Sequence, residues 1–165
     1  MLNPTAAILI IGDEILSGRT RDSNMHYLSC ELTKIGIDLQ EARFIPDNAA
    51  KIIDDVRCLS SKYDYVFTSG GIGPTHDDIT ADCIAAAFET KISIREDAFK
   101  LLENYYSEQN IDFNSARQRM ARIPKGAKLI DNPISVAPGF HLHNVFVMAG
   151  VPNIFQSMVQ SILPL

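Results

Sequence analysis

Thr5-Ala6-Ala7-Ile8-Leu9-Ile10-Ile11, held between Pro4 and Gly12, is the stretch that decides the fold class. A continuous apolar run this short and this rich in β-branched Ile suits a strand covered on both faces, as in a parallel sheet. Outward from it, Asp22 to Ile35 carries Met25, Leu28, Leu32 and Ile35 at helical spacing and stops at Gly36. Strand followed by helix is half of a βαβ unit. The alternation continues with a strand over Ile37–Ile45, a helix over Asp47–Ser61 and a strand over Tyr63–Thr68. A Gly-rich turn and an Ala-rich helix over Asp77–Phe88 follow. The pattern predicts an α/β protein with a mainly parallel sheet in the spatial order 2-1-3 for its first three strands.

After Glu89 the elements shorten. Ile92–Ile94 is a short apolar piece, and Lys128–Ile130 and Phe140–Met148 read as strand-like. Glu96–Gln109 and the stretch near Ser115–Met120 read as helices, and Val151–Ile162 as a closing helix. No linker or repeat interrupts the chain, so one domain over residues 1–165 is expected.

Composition narrows the function classes. Among 165 residues, 46% are hydrophobic and 21% charged, which excludes disordered and collagen-like chains. The longest apolar run is Ala6–Ile11, far short of the roughly 20 residues of a membrane span, and Met1–Thr5 has no basic leader, so a cytoplasmic protein with no membrane partner is expected. Cys30, Cys58 and Cys83 form no paired motif and are expected as small core residues. The net charge of -5 argues against nucleic acid as partner. That sum hides a contrast: Arg117, Arg119, Arg122, Lys125 and Lys128 fall in a stretch without a single acid, which leaves -10 on the remainder. This stretch is either a solvated face or an arm bringing cations to a diphosphate or to a partner subunit.

The chemical signal lies after the third strand, in Thr68-Ser69-Gly70-Gly71-Ile72-Gly73-Pro74-Thr75-His76-Asp77-Asp78-Ile79-Thr80. Three Gly in four positions let backbone N–H groups approach an anion, and a helix start adds further donors. No GK[ST] and no GxGxxG occurs, so neither the ATPase loop nor the dinucleotide fingerprint applies. The same residues could form a plain strand-to-helix turn capped by Thr75 or Asp77. Paired carboxylates beside a phosphate cradle repel phosphate unless a cation intervenes, and oxygen donors plus phosphate suit Mg²⁺ or another divalent ion. A second loop, Gly12 to Asn24, leaves the first strand toward the same crevice. There Asp13 and Glu14 are either site acids or solvated residues on a helix turn at Ile15 and Leu16. Gly150-Val151-Pro152 is a third turn, with Pro near the first position of a helix. His141 and His143 are read on one face of a strand, without a third ligand.

Gly12-Asp13-Glu14-Ile15-Leu16, Asp22-Ser23-Asn24, the string Gly70 to Thr80, Ala137-Pro138-Gly139 and Gly150-Val151-Pro152 together resemble the N-terminal domain of the competence-damage-inducible protein A family. That domain is similar to the molybdopterin-binding fold of molybdopterin adenylyltransferases and of the N-terminal part of eukaryotic FAD synthases. The resemblance implies a three-layer α/β/α domain that binds a nucleotide or pterin phosphate. It implies either a divalent-metal-dependent ADP-ribose pyrophosphatase or adenylyl transfer to molybdopterin; a non-catalytic binding or assembly module is the third option. Carried over by position, Ser69, Gly70, Gly71, Gly73, Pro74 and Thr75, with Gly150 and Pro152, contact the ligand. Asp77 or Asp78 binds the metal, and Asp13, Glu14 and Asp47 are further acids of the site. Two departures stand out: Ala149 precedes Gly150 where the family has Pro, and Asn153-Ile154 follow Pro152 where it has Glu. The family's C-terminal deamidase domain is not expected within residues 1–165, and self-association into a homo-oligomer is expected from the apolar composition.

Overall fold

A computed structural model describes residues 1–165. Its central sheet has six strands in the order β2-β1-β3-β8-β7-β6: β1 is Thr5–Ile11, β2 Asp38–Ile45, β3 Tyr65–Ser69, β6 Lys128–Ile130, β7 Gly139–Leu142 and β8 Val145–Met148. The pairs β1–β2, β1–β3 and β3–β8 are parallel, and β8–β7 and β7–β6 antiparallel. The mainly parallel sheet and its 2-1-3 start agree with the expectation.

Strand β1 shows why the run of apolar residues is unbroken. Ala7, Leu9 and Ile11 enter a core on one face, with Ile52, Val56 and Leu59 of α3 (Ala49–Lys62) and Ile84 of α4 (Thr80–Ala87). Ala6, Ile8 and Ile10 enter the opposite core, with Leu28 and Leu32 of α2 (Asn24–Lys34) and Phe155, Met158 and Val159 of α7 (Pro152–Ile162). Helices thus cover both sides of one sheet in a three-layer α/β/α arrangement. A small antiparallel sheet of β4 (Ile92–Ile94) and β5 (Arg122–Pro124), with α5 (Glu96–Glu108), packs onto the first core through Ala98, Leu102, Ala121 and Ile123. No helix is long and apolar enough to cross a membrane.

Several expectations are corrected. Phe140–Met148 is not one strand but the hairpin β7–β8, turned at His143, whose φ of 52° is left-handed, and Asn144. The Asn144 side chain donates to the Ser60 and Tyr63 carbonyls and accepts from the Ser60 hydroxyl, which ties the turn to the end of α3. His141 and His143 therefore do not share a strand face: His141 stacks on Phe146 with ring centroids 3.9 Å apart, and His143 packs on Phe88. Burial lowers the His141 pKa. Of the cysteines only Cys83 is buried; Cys30 and Cys58 are exposed on α2 and α3. Helix α4 starts at Thr80, not Asp77, so the paired acids precede it.

Candidate ligand site at the carboxyl ends of the sheet

Strands β1, β3 and β8 end side by side, and the loops that leave them meet. Gly70, with φ 107°, closes β3, and its N–H continues the ladder to the Met148 carbonyl at 3.1 Å. Thr80 then holds the turn from behind: its hydroxyl donates to the Gly70 carbonyl at 2.9 Å and its N–H to the Gly71 carbonyl at 3.0 Å. The first donor of α4 is thus spent on the loop. The N–H groups of Gly71, Ile72 and Gly73 donate to no group of the chain. Three successive donors without a partner in the chain are the kind of group an anion can engage.

Asn24, the first residue of α2, sets the distance between this turn and the next. It is buried, and its carboxamide donates to the Ser69 hydroxyl at 2.8 Å and to the Gly150 carbonyl at 2.9 Å. Gly150 lies against Gly70 so closely that a Cβ there would stand 3.2 Å from the Gly70 Cα. Beyond it, Pro152 opens α7 as expected.

Between the turns lies a cavity of about 480 Å³. Gly70–Pro74, Glu14, Thr20 and Asp78 line it together with the apolar Met120, Val151 and Ile154. The Asn132–Ala137 loop makes another wall. Asn132 ties it together, accepting from the Ile134 and Ser135 N–H groups and donating to the Ser135 hydroxyl and the Ala137 carbonyl. Val136 within it has a left-handed φ of 71°, a strained conformation for a β-branched residue that only a well-determined loop sustains.

A second concavity of about 240 Å³ gathers Asp13, Glu14, Asp47, Asp77 and Asp78 with Arg19. Asp13 and Asp47 brace each other reciprocally: the Asp13 N–H donates to Asp47 Oδ2 and the Asp47 N–H to Asp13 Oδ1, each at 3.1 Å. Asp78 Oδ2 accepts the Thr75 N–H at 2.9 Å and the Thr75 hydroxyl at 2.8 Å. Asp77 turns outward, with 75% of its side chain exposed, 3.2 Å from His76. Glu14, Gly71 and Asp78 line both concavities, so the two adjoin along these residues. No three of the acids and histidines stand as a ready-made metal cage. The donors are nonetheless all hard oxygens, the type Mg²⁺ takes when substrate phosphates complete its shell.

Crowding of the acids shows in Asp47, whose carboxyl is pushed above its ordinary value by desolvation and then by the charges of Asp13, Glu14 and Asp78, while the Asp13 N–H opposes the rise. A raised carboxyl holds its proton more tightly folded than unfolded. Its contribution to stability is therefore fullest below the unfolded value of about 3.8 and falls as pH rises through the folded one. Asp47→Asn, which keeps an oxygen for the Asp13 N–H, is expected to melt higher than the parent at pH 7 and to match it near pH 3. Thermal melts at the two pH values check this, and a variant that melts lower at pH 7 would show that the charge of Asp47 stabilises the fold.

The structure brings together the two glycine turns and the four acids Asp13, Glu14, Asp77 and Asp78 that the sequence placed at one crevice, and adds Asp47, which only the resemblance implied. Sequence reasoning assigned no role to Asn24, Thr80, Asn132 or Thr20. Asn24 was detectable, since it shares the buried face of α2 with Leu28 and Leu32, and a polar residue on such a face needs partners. Of the basic stretch, Arg122 pairs with Asp82 at 2.6 Å, Lys125 and Lys128 are exposed, and Arg117 and Arg119 lie beside the loop Pro74–His76.

Residues 7–165 match a family model described as "Probable molybdopterin binding domain". The chain is 36% identical over 168 residues to a "Probable FAD synthase" of Caenorhabditis elegans, covering 90% of this chain and 32% of that one. It superposes on the crystal structure of a protein CinA, titled as of unknown function, from Thermoplasma acidophilum, with TM-score 0.88, 29% identity and 96% of each chain covered. A molybdopterin biosynthesis enzyme MoaB from Thermus thermophilus matches with TM-score 0.61 at 15% identity over 98% of this chain and 90% of that one, a likeness of fold alone. The chain spans 62–66% of the length of the archaeal curated relatives it matches.

Proposed function

The chain belongs to the molybdopterin-binding domain family, and from that premise we propose that it binds a nucleotide diphosphate between its two glycine turns and hydrolyses it with the help of a divalent cation, as an ADP-ribose-type pyrophosphatase. One observation carries this reading: the free N–H groups of Gly71, Ile72 and Gly73 share a single space with the carboxylates of Glu14 and Asp78. Donors alone would fit any anion. Donors facing carboxylates fit an anion that arrives with a cation.

Asp78, with Asp77 and the braced pair Asp13 and Asp47 near it, would hold that cation. When bound, the ion supplies positive charge between carboxylate and phosphate and favours ionisation of a neighbouring water. The three N–H groups take up charge that develops on the phosphoryl oxygens. Glu14, on the border of both concavities, accepts the proton of the attacking water. The water oxygen bonds to one phosphorus, the bond from that phosphorus to the bridging oxygen breaks, and ADP-ribose yields AMP and ribose 5-phosphate.

Adenylyl transfer is the second reading, favoured by the identity with an FAD synthase. Both use the same cavity, and they differ in the acceptor. Incubating the protein with ADP-ribose and Mg²⁺, Mn²⁺ or Co²⁺ separates them: AMP release that a chelator abolishes supports hydrolysis. Intact ADP-ribose, alongside consumption of ATP only when a molybdopterin or flavin acceptor is present, refutes it. Self-association belongs to the same proposal and is read from the mass in solution.

A further inference from the structure

Across the Pro74–Thr75 corner the surface changes sign. On one side are the five acids; on the other is an open groove of about 700 Å³ lined by Pro74, Thr75, His76, Asn114, Arg117 and Arg119, without a carboxylate. Two arginines on one concave face, in a chain whose net charge is negative, are a local reversal of the field, while His76 beside them stands 3.2 Å from the Asp77 carboxylate.

The arginines are held in different ways. Arg117 donates to the Asp112 carbonyl at 2.7 Å and lies over the Tyr106 ring at 5.3 Å, so it is positioned while its charge is left without a carboxylate partner. Arg119 has an Nε–H that is buried and finds no acceptor. The same residue lines a small cleft together with Gly71, Gly73 and Asp78. Arg119 thus stands between the groove and the glycine turn. Pro74 borders both the groove and the 480 Å³ cavity.

We propose that the groove of His76, Arg117 and Arg119 is a second anion subsite, which takes the outer phosphates of a nucleoside polyphosphate whose first phosphate rests on the Gly71–Gly73 turn. This rests on the reading of the cavity as a nucleotide site and adds a rule to it: affinity increases with the number of phosphates beyond the first. Guanidinium forks suit phosphate oxygens through paired hydrogen bonds, and Arg117 and Arg119 both line the groove.

Calorimetric titration of AMP, ADP and ATP, each with Mg²⁺, tests it on the parent, Arg119→Gln and Arg119→Lys. In the parent, ATP is expected to bind about tenfold more tightly than AMP. In Arg119→Gln the ATP-to-AMP ratio is expected to fall to within about twofold of unity, and Arg119→Lys to keep part of it, because charge remains while the fork is lost. Reading a ratio within each protein removes any general loosening of the fold. If AMP binds the parent but ATP binds no better, or if Arg119→Gln keeps the full ratio, the subsite is refuted while the cavity reading stands. If no nucleotide binds the parent at all, the cavity reading falls and the subsite with it.

Discussion

Gly70→Ala is expected to lower the melting midpoint by roughly 6–12 °C, which corresponds to about 3 kcal/mol at 2–4 °C per kcal/mol for a chain of this size. Gly70 has φ 107°, a region that alanine enters only under strain, and a Cβ there would collide with the backbone carbonyl of Ile11. That carbonyl ends β1 and cannot retreat without breaking the centre of the sheet. The next strand neighbour is equally fixed, since the Gly70 N–H is bonded to Met148. Gly150→Ala is the useful contrast: its Cβ would meet the Gly70 Cα at 3.2 Å, with no left-handed φ, so a smaller loss is expected. Thermal unfolding followed by circular dichroism gives both values. A Gly70→Ala protein that melts within about 2 °C of the parent would mean that the turn is not seated against β1 as described.

Asp78→Asn is expected to leave the fold intact and to reduce AMP release from ADP-ribose at least ~100-fold, the usual scale for loss of one electrostatic contributor in a reacting centre. The amide keeps an oxygen for the Thr75 N–H and hydroxyl, which bond at 2.9 and 2.8 Å, so the loop retains its lock. What disappears is the charge beneath the glycine turn, where the Asp78 carboxylate would stand 2.8 Å from a Cβ placed on Gly73. Asp77→Asn is expected to matter less, because that side chain is largely exposed and pairs with His76. Steady-state rates at saturating Mg²⁺ decide the case. Turnover within threefold of the parent in a folded Asp78→Asn protein would remove Asp78 from the reaction.

What the sequence makes legible is what neighbouring residues decide. The unbroken apolar run of β1 requires two covered faces, and the glycine triplet after β3 requires a turn; both are properties of neighbouring residues. The crevice between β1 and β3 follows from the 2-1-3 order alone. The hairpin at His143-Asn144 was hidden because its turn contains neither Gly nor Pro, and its left-handed residue is held by Asn144 bonding to α3, a contact distant in sequence. Asp77 and Asp78 read as a helix start because acids favour that position, whereas Asp78 caps a turn that precedes the helix. The exposure of Cys30 and Cys58 depends on which helix faces the sheet leaves bare, which composition does not encode. At the site, the acids and glycines were visible as residue types. The braces that place them, Asn24 to Gly150 and Asp13 to Asp47, span long stretches of chain and emerge only from the assembled sheet.

The central claim is that nucleotide and cation meet at the two glycine turns, and amide chemical shifts of the ¹⁵N-labelled protein titrated with ADP-ribose and Mg²⁺ test it most directly. The amides of Gly71, Ile72 and Gly73 should move most, those of Gly70 and Gly150 with them, and those of Asp38 and Asp64 at the opposite end of the sheet should stay still. Unchanged glycine signals at saturating ligand, or shifts centred on the far end of the sheet, would contradict the account.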